Sequence, residues 1–106
     1  MTSVQWGRLG DGSEAPAVGE HNSVLAERHG TTIEQILSGD LGGAQYLSND
    51  HDEWVIIVDG AARLEVDGTV RVISAGDWVF IPAGTPHVLH ETRRGTRWVA
   101  VHLRPS

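Results

Sequence analysis

Arg63-Leu64-Glu65-Val66-Asp67-Gly68-Thr69-Val70-Arg71-Val72 is the stretch whose reading decides the fold class. Polar and apolar residues alternate on both sides of Asp67-Gly68, a pair suited to the positive φ angles of a two-residue hairpin turn. The same texture repeats outward in both directions. Short runs rich in β-branched and aromatic residues are separated by Gly39-Asp40, Asp59-Gly60, Gly76-Asp77, Pro82-Ala83-Gly84 and Arg93-Arg94-Gly95, each able to supply a tight reversal. The expected strands are 23–28, 31–38, 43–48, 53–59, 62–67, 69–74, 78–82, 87–92 and 96–103. Only 31–38 also fits a helix, because Ile33, Ile36 and Leu37 fall at helical spacing; its short length and flanking glycines leave that open. Many short strands at regular spacing predict an all-β sandwich or barrel. Residues 1–21, with Gly10-Asp11-Gly12-Ser13 and Pro16, show no sustained period and read as a flexible N-terminal arm before a barrel domain of residues 22–106.

Composition narrows the chemistry. A chain of 106 residues fits one domain, and 40% hydrophobic with 21% charged residues is too apolar for a disordered segment. No apolar run is long enough to span a membrane, and the N-terminus lacks a secretory pattern, so a soluble cytoplasmic protein is expected. With no cysteine there is no disulfide, thiolate nucleophile or cysteine-held metal. All eight basic residues are arginine, which rules out Schiff-base and phosphate-loop lysine chemistry. A formal charge of −6 argues against nucleic acid as a partner. What remains is chemistry by His, Asp, Glu, Tyr and hydroxyls, with or without a metal ion.

Gly76-Asp77-Trp78-Val79-Phe80-Ile81-Pro82-Ala83-Gly84-Thr85-Pro86-His87 resembles the second signature motif of the cupin superfamily: Gly, five residues, Pro, one residue, Gly, two residues, His. The Asn that closes that motif is replaced by Glu91. Upstream, Glu53 followed by six residues and Gly60 is similar to the end of the first cupin motif. The His-x-His pair of that motif is missing: positions 46 and 48 hold Tyr46 and Ser48, and positions 47 and 49 hold Leu47 and Asn49. The resemblance covers residues 22–104 and implies an antiparallel double-sheet jelly-roll barrel. It does not select a function, because dioxygenases, isomerases, epimerases, lyases, sugar-binding domains and storage proteins share the scaffold.

In cupins the histidine pair, the Glu and the last His bind one divalent ion, and only Glu53 and His87 carry over. His51 lies two residues before Glu53, so an extended chain would point both to one face. His51, Glu53 and His87 could then form a two-histidine, one-carboxylate site for Fe, Mn, Ni or Zn. Equally, His51 could belong to a solvated acidic loop with Asp50 and Asp52, leaving no metal at all. Without metal, a Glu53–His87 pair suits general acid–base work, with Tyr46 as a hydrogen-bond donor or simply a packed strand residue. His90 is expected to point outward, and His102 to line either the barrel or a subunit seam. Both faces of Glu53-Trp54-Val55-Ile56-Ile57-Val58 are apolar, so a second cover is expected, and a homodimer would supply it. The open readings are a metal-dependent enzyme acting on a small molecule, a metal-free ligand-binding or sensor module, and a dimerising structural domain with a closed cavity.

Overall fold

The computed structural model describes residues 4–105. Asp67 and Gly68 take φ angles of 50° and 83°, and they join β5 (Ala61–Val66) to β6 (Thr69–Ser74) with Val66 opposite Thr69. Around this hairpin stand β1 (Glu20–Arg28), β2 (Thr31–Ser38), β3 (Gln45–Leu47), β4 (Asp52–Asp59), β7 (Trp78–Ile81), β8 (His87–Thr92) and β9 (Thr96–Leu103). They form a five-stranded sheet of order β1-β2-β9-β4-β7 and a four-stranded sheet of order β3-β8-β5-β6. All named pairings are antiparallel, and the crossing connections between the sheets make the jelly roll.

Residues 31–38 form a strand throughout, because their backbone pairs on both sides, with β1 and with β9. The strand expected from 23 begins earlier, at Glu20, which pairs with Ser38 inside the segment assigned to the arm. β3 is shorter than expected, covering only 45–47. Ahead of β1, Asp11 caps a 3-10 turn at Gly12–Glu14. The N–H of Gly10 donates to Gln35 Oε1 at 2.9 Å, and Arg97 Nη1 donates to the Gly10 carbonyl at 3.3 Å. This segment therefore lies along β2 and β9.

Between the sheets, Val55, Ile57, Ala62, Leu64, Leu89, Trp98 and Ala100 form the core. Strand alternation sorts the rest. Val55 and Ile57 face the core, so Trp54 and Ile56 face outward, as do their β7 partners Phe80 and Trp78. No helix among the described residues is long and apolar enough to cross a membrane.

Candidate functional site

Glu53 and His87 come from different sheets. Glu53 stands second on β4, opposite Ile81 and His102, while His87 opens β8 opposite Leu47 and Val66. Both side chains line one cavity of about 70 Å³, shared with Ile36, Leu47, Val55, Leu64, Ile81, Leu89 and Trp98. Their facing atoms, His87 Nε2 and Glu53 Oε1, are 3.9 Å apart. His87 Nδ1 sits 3.1 Å from the Thr85 carbonyl and must donate to it, so Nε2 is the nitrogen presented to the cavity. Glu53 Oε1 accepts from Asn49 Nδ2 at 2.9 Å, which fixes the carboxylate against the loop before β4.

A second carboxyl group, that of Glu20, enters the same cavity. Glu20 accepts from the Ser38 hydroxyl, and Ser38 Oγ accepts in turn from Trp98 Nε1 at 3.0 Å. Burial pushes Glu20 above the ordinary glutamate value; the Ser38 bond opposes this, and the charge of Glu34 adds to the rise. Glu20 was not legible as a site residue because it falls in the stretch without apolar period.

His51 is not part of this cavity. Asp50 and His51 form a bend and β4 begins only at Asp52, so the alternation expected to place His51 beside Glu53 does not extend that far. Instead His51 Nδ1 lies 2.9 Å from Asp50 Oδ1, and His51 Nε2 lies 2.8 Å from His102 Nδ1. His102 Nε2 lies 2.7 Å from Glu34 Oε1. Asp50, 97% exposed, is held below the ordinary aspartate range by its bond to His51 and then by the charge of that ring. His51, His102, Glu34 and Asn49 border an open groove. The inward position of His102 could have been found from β9 alone, since Trp98, Ala100 and His102 share one face.

Tyr46 is also placed elsewhere. Leu47 pairs with His87 and shares its face, so Tyr46, opposite Val88, points the other way and is 80% exposed. His90 faces away from the cavity, half-buried against Glu65 at 2.9 Å. Phe80 lies on the outer face.

These positions test the ion that the resemblance implies. Leu47 has no donor atom, Asn49 spends its amide nitrogen on Glu53, and the third polar group of the cavity, Glu20, is engaged by Ser38, so only Glu53 and His87 face each other as possible ligands. A resident transition-metal ion is ordinarily held by at least three protein side chains. Among the described residues, no group of three or more His, Asp or Glu side chains is arranged to hold an ion. The residues present do not fit the group.

Comparison with known proteins agrees with the architecture. The Cupin domain family matches residues 33–102. Quercetin 2,3-dioxygenase of Bacillus subtilis (strain 168) is 34% identical over 71 residues, 65% of this chain and 21% of that protein. The chain thus spans about a fifth of the length of this curated relative. A solved structure from Ralstonia eutropha JMP134, provisionally assigned as a mannose-6-phosphate isomerase, is 34% identical with a TM-score of 0.72, covering 92% of this chain and 98% of that one. KdgF from Halomonas sp., at 19% identity and a TM-score of 0.69, covers 83% of this chain and 82% of its own and shares the fold.

Proposed function

The chain belongs to the cupin domain family, and from that premise we propose that it binds a small molecule and works on it by acid–base chemistry at Glu53 and His87. The observation that carries this reading is the 3.9 Å gap between His87 Nε2 and Glu53 Oε1 inside an apolar cavity. The gap is too wide for a direct hydrogen bond. A ligand oxygen can stand about 2.8 Å from both atoms at once. Each group is anchored from behind, His87 by Thr85 and Glu53 by Asn49, so neither must reorient when a ligand arrives. One group would take a proton from the ligand while the other returns one at a neighbouring atom, the step needed to isomerise or eliminate next to a carbonyl. A cavity of about 70 Å³ is far below the several hundred Å³ that enclose a drug-sized molecule, so it suits the reactive end of a ligand, a few heavy atoms long.

The test is thermal-shift screening of small carboxylates and sugars against the wild type, Glu53→Gln and His87→Asn. At about a hundred times its Kd, a ligand adds about 2.7 kcal/mol of stability. The expected result is at least one compound that raises the wild-type Tm and loses most of that effect in either variant. A panel that moves nothing, or moves all the proteins alike, overturns the reading.

The reading extends to assembly. Trp54, Ile56, Trp78, Phe80, Val99 and Val101 lie together on the outer face of the five-stranded sheet. Trp78 is 60% and Phe80 44% exposed. Contiguous apolar surface of this kind marks an interface more often than bare solvent contact, and a second copy of the chain is the occupant we propose.

A further inference from the structure

The cavity that holds Glu53 and His87 carries no surplus of positive charge. Among the described residues only Glu20, Glu53 and His87 bring ionisable groups to its wall, and no arginine does. With Glu20 and Glu53 both ionised, the two carboxylates outweigh the one imidazole even when His87 is protonated. A proton on Glu20 as well brings the lining only to neutrality.

The facing pair also asks its ligand for a hydrogen. Glu53 accepts from Asn49 and, as a carboxylate, can only accept. His87 gives its Nδ1 hydrogen to the Thr85 carbonyl, so Nε2 of the neutral ring accepts too. A ligand oxygen standing between them must bring a hydrogen of its own, which a hydroxyl does and a carboxylate does not.

Glu20 repeats this demand from another part of the wall. Trp98 Nε1 donates to Ser38 Oγ at 3.0 Å, and Ser38, fully buried, gives its own hydrogen to Glu20 Oε2. Since Oε2 is engaged as an acceptor, a proton taken up by Glu20 belongs on Oε1. No other hydrogen bond reaches this carboxyl among the described residues. Oε1 is not sealed in either, because the buried side-chain nitrogen or oxygen left without a partner among those residues is Arg97 Nε. Ionised, Oε1 accepts from a ligand hydroxyl; protonated, it donates to a hydroxyl or carbonyl oxygen. A hydroxyl suits both states, whereas a carboxylate is repelled by the first. Burial raises the proton affinity of Glu20, against the pull of the Ser38 hydrogen bond and with help from the charge of Glu34.

We propose that Glu20 is the specificity-determining residue of this cavity, and that together with Glu53 it admits a small uncharged hydroxyl compound and turns away a carboxylate. The proposal rests on the Glu53–His87 reading and narrows it to alcohols, sugars and hydroxy carbonyl compounds.

The experiment follows the Trp98 indole N–H in ¹H–¹⁵N spectra of the full chain, since Trp98 lines the cavity and its N–H heads the bonds to Ser38 and Glu20. The probes are propylene glycol and lactate, three-carbon alcohols that end in a hydroxymethyl group and a carboxylate respectively. At neutral pH propylene glycol should shift the signal saturably, and lactate should bind at least about tenfold more weakly, a modest figure for like charges in one cavity. Glu20→Gln removes the charge and keeps an acceptor for Ser38. It should close most of that gap by strengthening lactate binding, with propylene glycol little changed. Glu53→Gln and His87→Asn separate the two readings. If neither weakens propylene glycol binding, the acid–base cavity itself fails; if both do and Glu20→Gln leaves the gap as it was, only the selective role of Glu20 fails. No saturable shift from either compound, lactate binding as tightly as propylene glycol in the wild type, or an equal change for both in Glu20→Gln overturns the proposal.

Discussion

Glu20 shows how one side chain can be costly to the fold and useful to a site. Burial outweighs the Ser38 hydrogen bond and raises its proton affinity above that of the unfolded chain. The sign follows from linkage: a raised carboxyl contributes its stability below the ordinary glutamate value of ~4.3 and loses it as pH climbs through the folded value. Glu20→Gln keeps an acceptor for Ser38 and cannot titrate. The variant's Tm should therefore exceed the wild type's near neutral pH, with the difference shrinking toward about pH 4; a constant difference across that range refutes the account. A second expectation concerns Glu53 and His87. Since Leu47 and Asn49 complete no donor set around them, treatment with a strong chelator should leave Tm unchanged, and a drop would restore the metal reading. Glu53 and His87 were legible because both stand at positions of the cupin motifs, and continuous strand pairing then carries each inward. His51 was not, because a bend intervenes, and Glu20 was not, because an edge strand is held by backbone pairing with β2 rather than by an apolar period.

At the level of elements, two glycines with left-handed backbones separate turn chemistry from packing. Gly68, at φ 83°, has open space where a Cβ would stand, so Gly68→Ala meets only the conformational penalty, about 1–2 kcal/mol. Gly60, at φ 101° between β4 and β5, would place a Cβ 2.3 Å from Thr96 Oγ1 and 2.7 Å from the Thr96 Cα. Thr96 cannot retreat: it is fully buried, accepts from the Ala61 N–H at 3.2 Å and donates to the Arg93 carbonyl at 2.6 Å. Gly60→Ala should then add overpacking to backbone strain and cost roughly 3 kcal/mol or more. Denaturant melts of the two variants check the ordering; equal losses would mean Thr96 yields. The β5–β6 hairpin was readable in advance because Asp67-Gly68 and the flanking alternation make the same demand. The start of β1 was not, since residues 20–28 carry a register shift between Val24 and Ala26 that breaks any period of two.

For the whole molecule, the question is what covers the outer face of the five-stranded sheet. β4 is apolar on both faces because its inward residues pack in the core and its outward ones, Trp54 and Ile56, face away from it. Trp54 and Trp78 already pack with ring centroids 6.1 Å apart, and so present a preformed aromatic surface. A stable interface buries about 800 Å² on each partner, with aromatic anchors near its centre. β7 is an edge strand, and its side chains on this face are large rather than charged, the opposite of how monomers protect an edge. Sedimentation equilibrium at micromolar concentration should give twice the chain mass for the wild type. Trp78→Glu and Phe80→Glu should each bring it to a single chain mass, because a carboxylate cannot be buried there without a partner. Val72→Glu, exposed on β6 in the other sheet, should leave the dimer intact. A folded wild type of single mass, or both β7 variants remaining double, would show that this face meets water.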